Sequence, residues 1–352
     1  MHFLDDALFP ENQEKLVITV APYGPEWMPS DFPEDIPVSM DEHVQKAVDC
    51  YNAGATVLHV HVREADGKGS KRLSKFNELL DRLRVAVPKM VLQVGGSISF
   101  APETEGAEAK WLSDDTRHML AELNPKPDQV TVAVNTTQMN IFELLGEEDI
   151  RGSSLAEPAN YAAYREMIVP AGPTWVEEHL RRLQANGVQP HFQIVNVPHL
   201  NTLERLVRRG KYTGPLNITW NAIGGGSDGP DPYSMMDFIR RVPDGATLTL
   251  ETVMRSVLPI NTIAIALGMH CRCGIEDAIR GPRHEKYTSV AQVEHLVRIA
   301  RELGREVASG EEAHRIYKIG EQYRDADETL AMAGWMPNRK KIESKPALTR
   351  VA

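Results

Sequence analysis

The sequence predicts an α/β protein, a (β/α)8 TIM barrel with a C-terminal extension, and three observations carry that prediction. Short apolar runs alternate with helix-period segments eight times between Leu16 and Leu303. The runs are nearly continuous rather than alternating, as strands buried on both faces require. No Gly-x-Gly-x-x-Gly joins a strand to a helix, which weighs against the runner-up, a doubly wound open sheet. We place the barrel at residues 1–310 and the extension at 311–352, with an oligomer contact as the extension's expected role.

Leu16-Val-Ile-Thr-Val-Ala21 is the first strand, followed by a Pro- and Gly-rich loop. Ser39-Met-Asp-Glu42 has capping-box spacing and opens a helix through about Ala53, stopped by Gly54. Ala55 to Val62 is the second strand, and Ser74 begins a helix with Leu79, Leu80 and Leu83 at helical spacing. Met90 to Val94 and Gln129 to Val134 are strands three and four, with a helix starting at Ser113 between them. From Thr136 to Pro173 the rhythm loosens into an inserted excursion or lid, within which Met139 to Leu145 reads as helical. Phe192–Val195, Leu216–Trp220, Thr247–Leu250 and Cys271–Ile275 complete the strands. The intervening helices include one opened by Asp231-Pro232, with proline at its first position.

Apolar residues make up 42% of the 352 and charged residues 25%, ordinary for a globular protein. The net charge of −10 weighs against a general nucleic-acid or anionic-membrane surface, while leaving room for a local basic pocket for a phosphorylated ligand. The opening residues have neither a basic n-region nor an apolar core, and nowhere do about 18 apolar residues run together. A soluble, cytoplasmic protein with no nucleic-acid or membrane partner is expected. Cys50, Cys271 and Cys273 are too few and too poorly spaced for a disulfide framework or a structural zinc site, and read as buried thiols.

Chemistry concentrates at the strand ends, where barrel enzymes place their sites. His59 and His61, two apart on strand two, share one face and form half a metal site. Glu276 and Asp277 follow strand eight, which a closed barrel separates from strand two by strand one alone. Two imidazoles and a carboxylate would leave open positions on a bound ion, as a catalytic site does. The pair Glu276-Asp277 also reads as the acidic start of a helix. If Arg272 points into the barrel, Cys271, Cys273 and Ile275 face the helices, and Asp277 joins Arg272 only if the strand ends near Gly274. Glu26, after strand one, is either a surface acid or a neighbour of the metal strands. Gly95-Gly96-Ser97 and Asn135-Thr136 could offer N–H groups and hydroxyls to an anion, or simply turn the chain.

Three segments, Ile18–Gly24, Gly54–Glu64 and His270–Asp277, resemble the signature segments of the β-keto acid cleavage enzymes, and the likeness runs from about residue 16 to about 310. The resemblance implies a zinc-dependent barrel that forms homo-oligomers, dimers or tetramers. It implies condensation of a small-molecule β-keto acid with acetyl-CoA and release of acetoacetate and a new acyl-CoA. Carried over by residue, it makes His59, His61 and Glu276 the zinc ligands and Asp277 the general base. Arg272 and Glu26 become the pair that positions and tunes that base, and Gly96, Ser97 and Thr136 fall where substrate binds. The chain departs from the family pattern at Ala133-Val-Asn-Thr136 and at Met254-Arg-Ser256, where Gly-Arg-Trp is usual. A metal-dependent amidohydrolase is the competing enzyme, since it too holds metal with His-x-His. A ligand-binding barrel without catalysis is the third reading.

Overall fold

A computed structural model describes residues 1, 3–96, 100–101, 110–111, 114–254 and 257–339. Eight parallel strands close on themselves: β1 Ile18–Val20, β2 Val57–Val60, β3 Val91–Val94, β4 Gln129–Ala133, β5 Gln189–Ile194, β6 Asn217–Ala222, β7 Thr247–Thr252 and β8 His270–Cys273. The ring closes where β1 pairs with both β2 and β8, Thr19 lying opposite Val57 on one side and Arg272 on the other. The (β/α)8 expectation is therefore met. Successive strands are joined by helices: α1 Met40–Ala53, α2 Leu73–Ala86, α3 Asp114–Met119, α4 Pro173–Ala185, α5 Val197–Arg208, α6 Pro232–Ile239, α7 Leu258–Ala266 and α8 Ser289–Glu302.

Local chemistry explains several boundaries. Ser39 Oγ accepts from Glu42 N while the Glu42 carboxylate accepts from Ser39 N, the expected capping box. Asp231 caps α6 ahead of Pro232. Helix α5 opens where Asn196 Oδ1 accepts from His199 N and Pro198 fits the first turn. Two cores result. The larger lies between sheet and helices, and a smaller one of Val17, Val57, Val91, Ala308, Ala313 and Tyr317 fills the barrel's bottom.

The residues after 310 pack onto the barrel. Helix α9, Gly310–Ile316, carries Tyr317 into the closed end of the barrel, where its hydroxyl meets Thr249 Oγ1 at 2.9 Å. Beyond it α10, Ala326–Ala333, packs on α5 and buries Leu330. Residues 311–333 are thus part of the packed unit rather than an appendage. The basic stretch at Lys340 and Lys341 lies outside the described residues.

The expected helix at Met139–Leu145 is absent. Thr137–Met139 is instead a strand paired antiparallel with Met167–Val169, and Asn140 Oδ1 accepts from Phe142 N to turn the chain at once. This hairpin and the short helices Glu147–Ile150 and Pro158–Arg165 form the excursion over the barrel mouth. Asp31, in the loop after β1, anchors it by accepting from Ser154 N at 2.7 Å and Ser154 Oγ at 2.5 Å. All three cysteines are free and buried, as expected. Among the described residues no helix is long and apolar enough to cross a membrane.

Candidate active site

His59 and His61 project from the end of β2 and its first loop residue toward Glu276, which follows β8. Glu276 Oε1 lies 3.5 Å from His59 Nε2 and 3.4 Å from His61 Nε2, and one donor atom of each residue falls within 4.8 Å of the others. Among the described residues this is the one cluster of three able to hold a metal. The donors fit a divalent ion. His61 Nε2 and Glu276 Oε2 are shut from solvent without a hydrogen-bond partner, which is costly unless something else binds them. A Cβ on Gly95 would lie 2.3 Å from His59 Nε2 and 2.5 Å from His61 Nε2, so only glycine leaves the space between them clear.

Burial, aided by the Arg272 charge, lowers His59 to about 4, leaving the neutral imidazole that metals bind. Its Nδ1 contacts Gln93 Oε1 at 2.7 Å, which fixes the proton there and frees Nε2. The contact begins a chain of amides across the barrel. Gln93 Nε2 donates to Gln129 Oε1 at 2.9 Å, Gln129 Nε2 to Gln189 Oε1 at 2.8 Å, and Gln189 Nε2 to the carbonyls of Tyr317 and Lys318. Strand register makes this possible, since His59, Gln93, Gln129 and Gln189 stand opposite one another in turn.

The turn at the end of β8 sets Asp277. Gly274 has φ 128°, and a Cβ there would strike Ala21 O at 2.1 Å, so glycine lets the chain double back over β1. No helix begins at Glu276-Asp277, and Asp277 reaches Arg272. The fully buried Asp277 carboxylate accepts from Arg272 Nη2 at 2.8 Å and from Nε at 3.1 Å. Burial and the Glu276 charge outweigh Arg272 and push Asp277 up to about 6, whereas Glu276 stays ionised: burial opposes its charge, but the imidazoles and Arg272 prevail. Arg272 Nη2 also lies 2.9 Å from Glu276 and 3.4 Å from Glu251, so it holds three carboxylates at once. Glu26 faces them from the loop after β1, its Oε2 unpaired and its carboxyl raised to about 8 by burial and then by Glu276. Arg63 holds that loop through Gly24 O and Trp27 O.

The pocket bounded by these groups is also lined by Gly96, Thr131, Gln193, Asn221 and Glu251, and it is roofed by Met139, Ile141, Met167, Ile223, Val253 and Met254. Thr136 is not part of it. That residue is exposed at the start of the excursion, and its hydroxyl accepts from Ala171 N at 3.0 Å. Ser97 lies outside the described residues. Met254 keeps a left-handed φ of 63°, a region that costs a side chain about 1–2 kcal/mol.

Sequence reasoning missed Glu251 and Gln93. Both were legible as parity: Thr247-x-Thr249-x-Glu251 and Gln93-x-Gly95 put polar or small residues on the inward face at alternate positions, just as His59-x-His61 does.

A family model described as beta-keto acid cleavage enzyme matches residues 15–319. The chain belongs to the β-keto acid cleavage enzyme family. That match includes α9 and Tyr317, in keeping with their place in the barrel. Among characterised relatives, the 3-keto-5-aminohexanoate cleavage enzyme of Acetoanaerobium sticklandii is 27% identical over 307 residues, covering 87% of this chain and 99% of that one. A 3-dehydrocarnitine:acetyl-CoA trimethylamine transferase of Rhizobium meliloti is 22% identical, covering 81% and 90%. A solved ternary complex of ObcA with a C4-CoA adduct and oxalate shares the fold, with a TM-score of 0.56 at 12% identity over 80% of this chain and 67% of that one. This member of the β-keto acid cleavage family thus presents its paired histidines and acidic turn at the strand ends of a closed barrel.

Proposed function

We propose that this enzyme is a zinc-dependent, carbon–carbon bond cleaving acyltransferase. In this reading it condenses a β-keto acid with acetyl-CoA and releases acetoacetate and a new acyl-CoA. The observation that carries the reading is the convergence of His59, His61 and Glu276 beside an Asp277 carboxylate clamped by Arg272. Family membership and relatives whose names pair a keto acid with acetyl-CoA support it.

When bound by the two imidazoles and Glu276, zinc supplies Lewis acidity toward the keto oxygen and lowers the cost of charge developing there. Asp277, raised toward neutrality, takes the proton from the carbon between the keto and carboxylate groups. That carbon attacks the acetyl carbonyl and expels the CoA thiolate. The thiolate adds to the original keto carbon, the bond to the former α-carbon breaks, and Asp277 returns the proton to the acetoacetate carbanion. Arg272 keeps the base oriented throughout and offsets the charge of the carboxylates around it. Glu26, held by the Arg63 clasp, faces the same space and tunes Asp277. Gly96 lines the same pocket, and with Ser97, next along the chain, it is assigned to substrate binding.

An amidohydrolase would recruit further histidines from β5 and β6. Here His191 lies deeper in the barrel, bound to Thr219 Oγ1 at 2.6 Å, and β6 carries none. Cytoplasmic location and assembly as a dimer or tetramer belong to the same reading, and light scattering checks the latter.

The test is a mass-spectrometric screen of zinc-loaded enzyme with acetyl-CoA and cationic, anionic and neutral β-keto acids. Acetoacetate appearing together with a new acyl-CoA is the expected result. Absence of both across the panel refutes acyl transfer. Glu276→Gln should lose metal, measured by elemental analysis. Asp277→Asn should keep it and slow turnover by about 10²–10⁴-fold.

A further inference from the structure

Beside the metal pocket, whose free volume is only about 40 Å³, lies a second cavity of about 310 Å³. Met254 forms part of both walls, so the two spaces are neighbours across one side chain. The floor of the larger cavity is apolar, built from Trp27, Leu145, Ala278 and Ile279, while Arg280, Arg283 and His284 stand at its mouth. In a chain of net charge −10 this is a local concentration of positive charge.

The hairpin carries Arg280, Arg283 and Lys286 against one acid, Glu285, which has no ion pair among the described residues. Asp149 pairs with His284 Nδ1 at 3.4 Å, and Glu34 pairs with Lys286 at 3.8 Å. Arg280 donates to His284 O at 3.2 Å, and Arg283 has no ion pair among the described residues. The loop that carries them is built rather than loose. Arg280 and Lys286 form an antiparallel bridge, Gly281 N donates to Glu285 O at 2.8 Å, and Glu285 N donates to Pro282 O at 3.3 Å. Its two central residues, Arg283 and His284, take φ values of 59° and 63°. Tight hairpins of this form prefer Asn-Gly at those positions, because other side chains disfavour left-handed backbone. Arg and His therefore sit there against local preference, which points to a role outside folding.

We propose that this cavity receives the CoA portion of the thioester substrate, an assignment that rests on the reading that acetyl-CoA is the co-substrate. The uncharged pantetheine arm lies along Trp27, Leu145 and Ile279 and passes Met254, which brings the thioester carbonyl to the metal pocket. The phosphates meet Arg280 and Arg283 at the mouth, where guanidinium groups match phosphate oxygens in charge and geometry. A polyanion approaching an acidic protein needs such a local cationic rim to be held and steered.

Steady-state kinetics of the zinc-loaded enzyme test this with Arg283→Glu and Arg280→Gln, two substitutions outside the metal pocket. For Arg283→Glu the KM for acetyl-CoA should rise about 10-fold, while kcat, the KM for the keto acid and the KM for acetyl-pantetheine, which lacks the nucleotide phosphates, stay within about 2-fold. The rise should shrink as salt is added. An acetyl-CoA KM unchanged in both variants overturns the assignment, as does an equal rise for acetyl-pantetheine. If the wild type cleaves no keto acid, calorimetry with CoA separates the two failures. Binding that Arg283→Glu weakens upholds the cavity while cleavage falls, and no binding to the wild type overturns the cavity as well.

Discussion

A buried imidazole that cannot reach water is a titration waiting for acid. His43 packs its ring on Tyr23 at 4.3 Å, neither ring nitrogen has a hydrogen-bond partner, and burial lowers its pKa to about 3. Because the folded value lies below the unfolded 6.5, the neutral ring is fully compatible with folding above about pH 6.5, and stability falls as pH drops from there toward 3. Each such group costs about 1.4 kcal/mol per pH unit in that window, or about 2 kcal/mol at pH 5. His43→Phe, which keeps the stacking, should therefore reduce the loss of unfolding free energy between pH 7 and pH 5 by about that amount in urea titrations. An identical loss in the variant would show that His43 is already satisfied. The same scale explains why Arg272 was placed from sequence and Glu251 was missed. Arg272 follows from the parity of a four-residue strand, while the length of β7 was underestimated by the two residues that add Glu251.

Elements decide which way His59 faces and how the mouth is covered. The amide chain from Gln93 through Gln129 to Gln189 works only because β2, β3, β4 and β5 are in matching register. Gln93→Leu removes the acceptor for His59 Nδ1, so zinc affinity should fall about 10- to 100-fold by competition with a chelating dye, with the barrel intact. Unchanged affinity would mean that packing alone orients His59. On the excursion, Asp31 accepts three bonds, from Met28 N, Ser154 N and Ser154 Oγ. Asp31→Ala strands those donors and should cost about 2–3 kcal/mol. The loss should be local, read as faster proteolysis between residues 146 and 166 while far-UV dichroism stays constant.

The whole molecule is closed at one end by its own C-terminal segment. Tyr317 is 2% exposed, with its hydroxyl on Thr249, its ring edge against His270 and its carbonyl on Gln189 and Asn217. It therefore touches β5, β6, β7 and β8 and reaches the amide chain that ends at His59. Tyr317→Ala should destabilise the protein by about 3–5 kcal/mol in denaturant titration, Tyr317→Phe by only about 1 kcal/mol. A small loss for the alanine variant would show that the barrel closes without its plug.

The sequence by itself determined the barrel and which strand ends carry His59, His61, Arg272 and Glu276. Each of these rests on local periodicity, since burial on both faces forces apolar runs and a two-residue repeat fixes which side chains share the barrel's inside. Only the tertiary structure decided the rest. Whether Met139–Leu145 would be helix or strand depended on Met167–Val169, nearly thirty positions away, offering an edge to pair with. Thr136 is exposed with its hydroxyl on Ala171 N, and Tyr317 from the C-terminal segment caps the barrel's bottom through apolar contact and hydrogen bonds. Such outcomes depend on contacts between residues far apart in the chain. Propensity and spacing record only a residue's near neighbours.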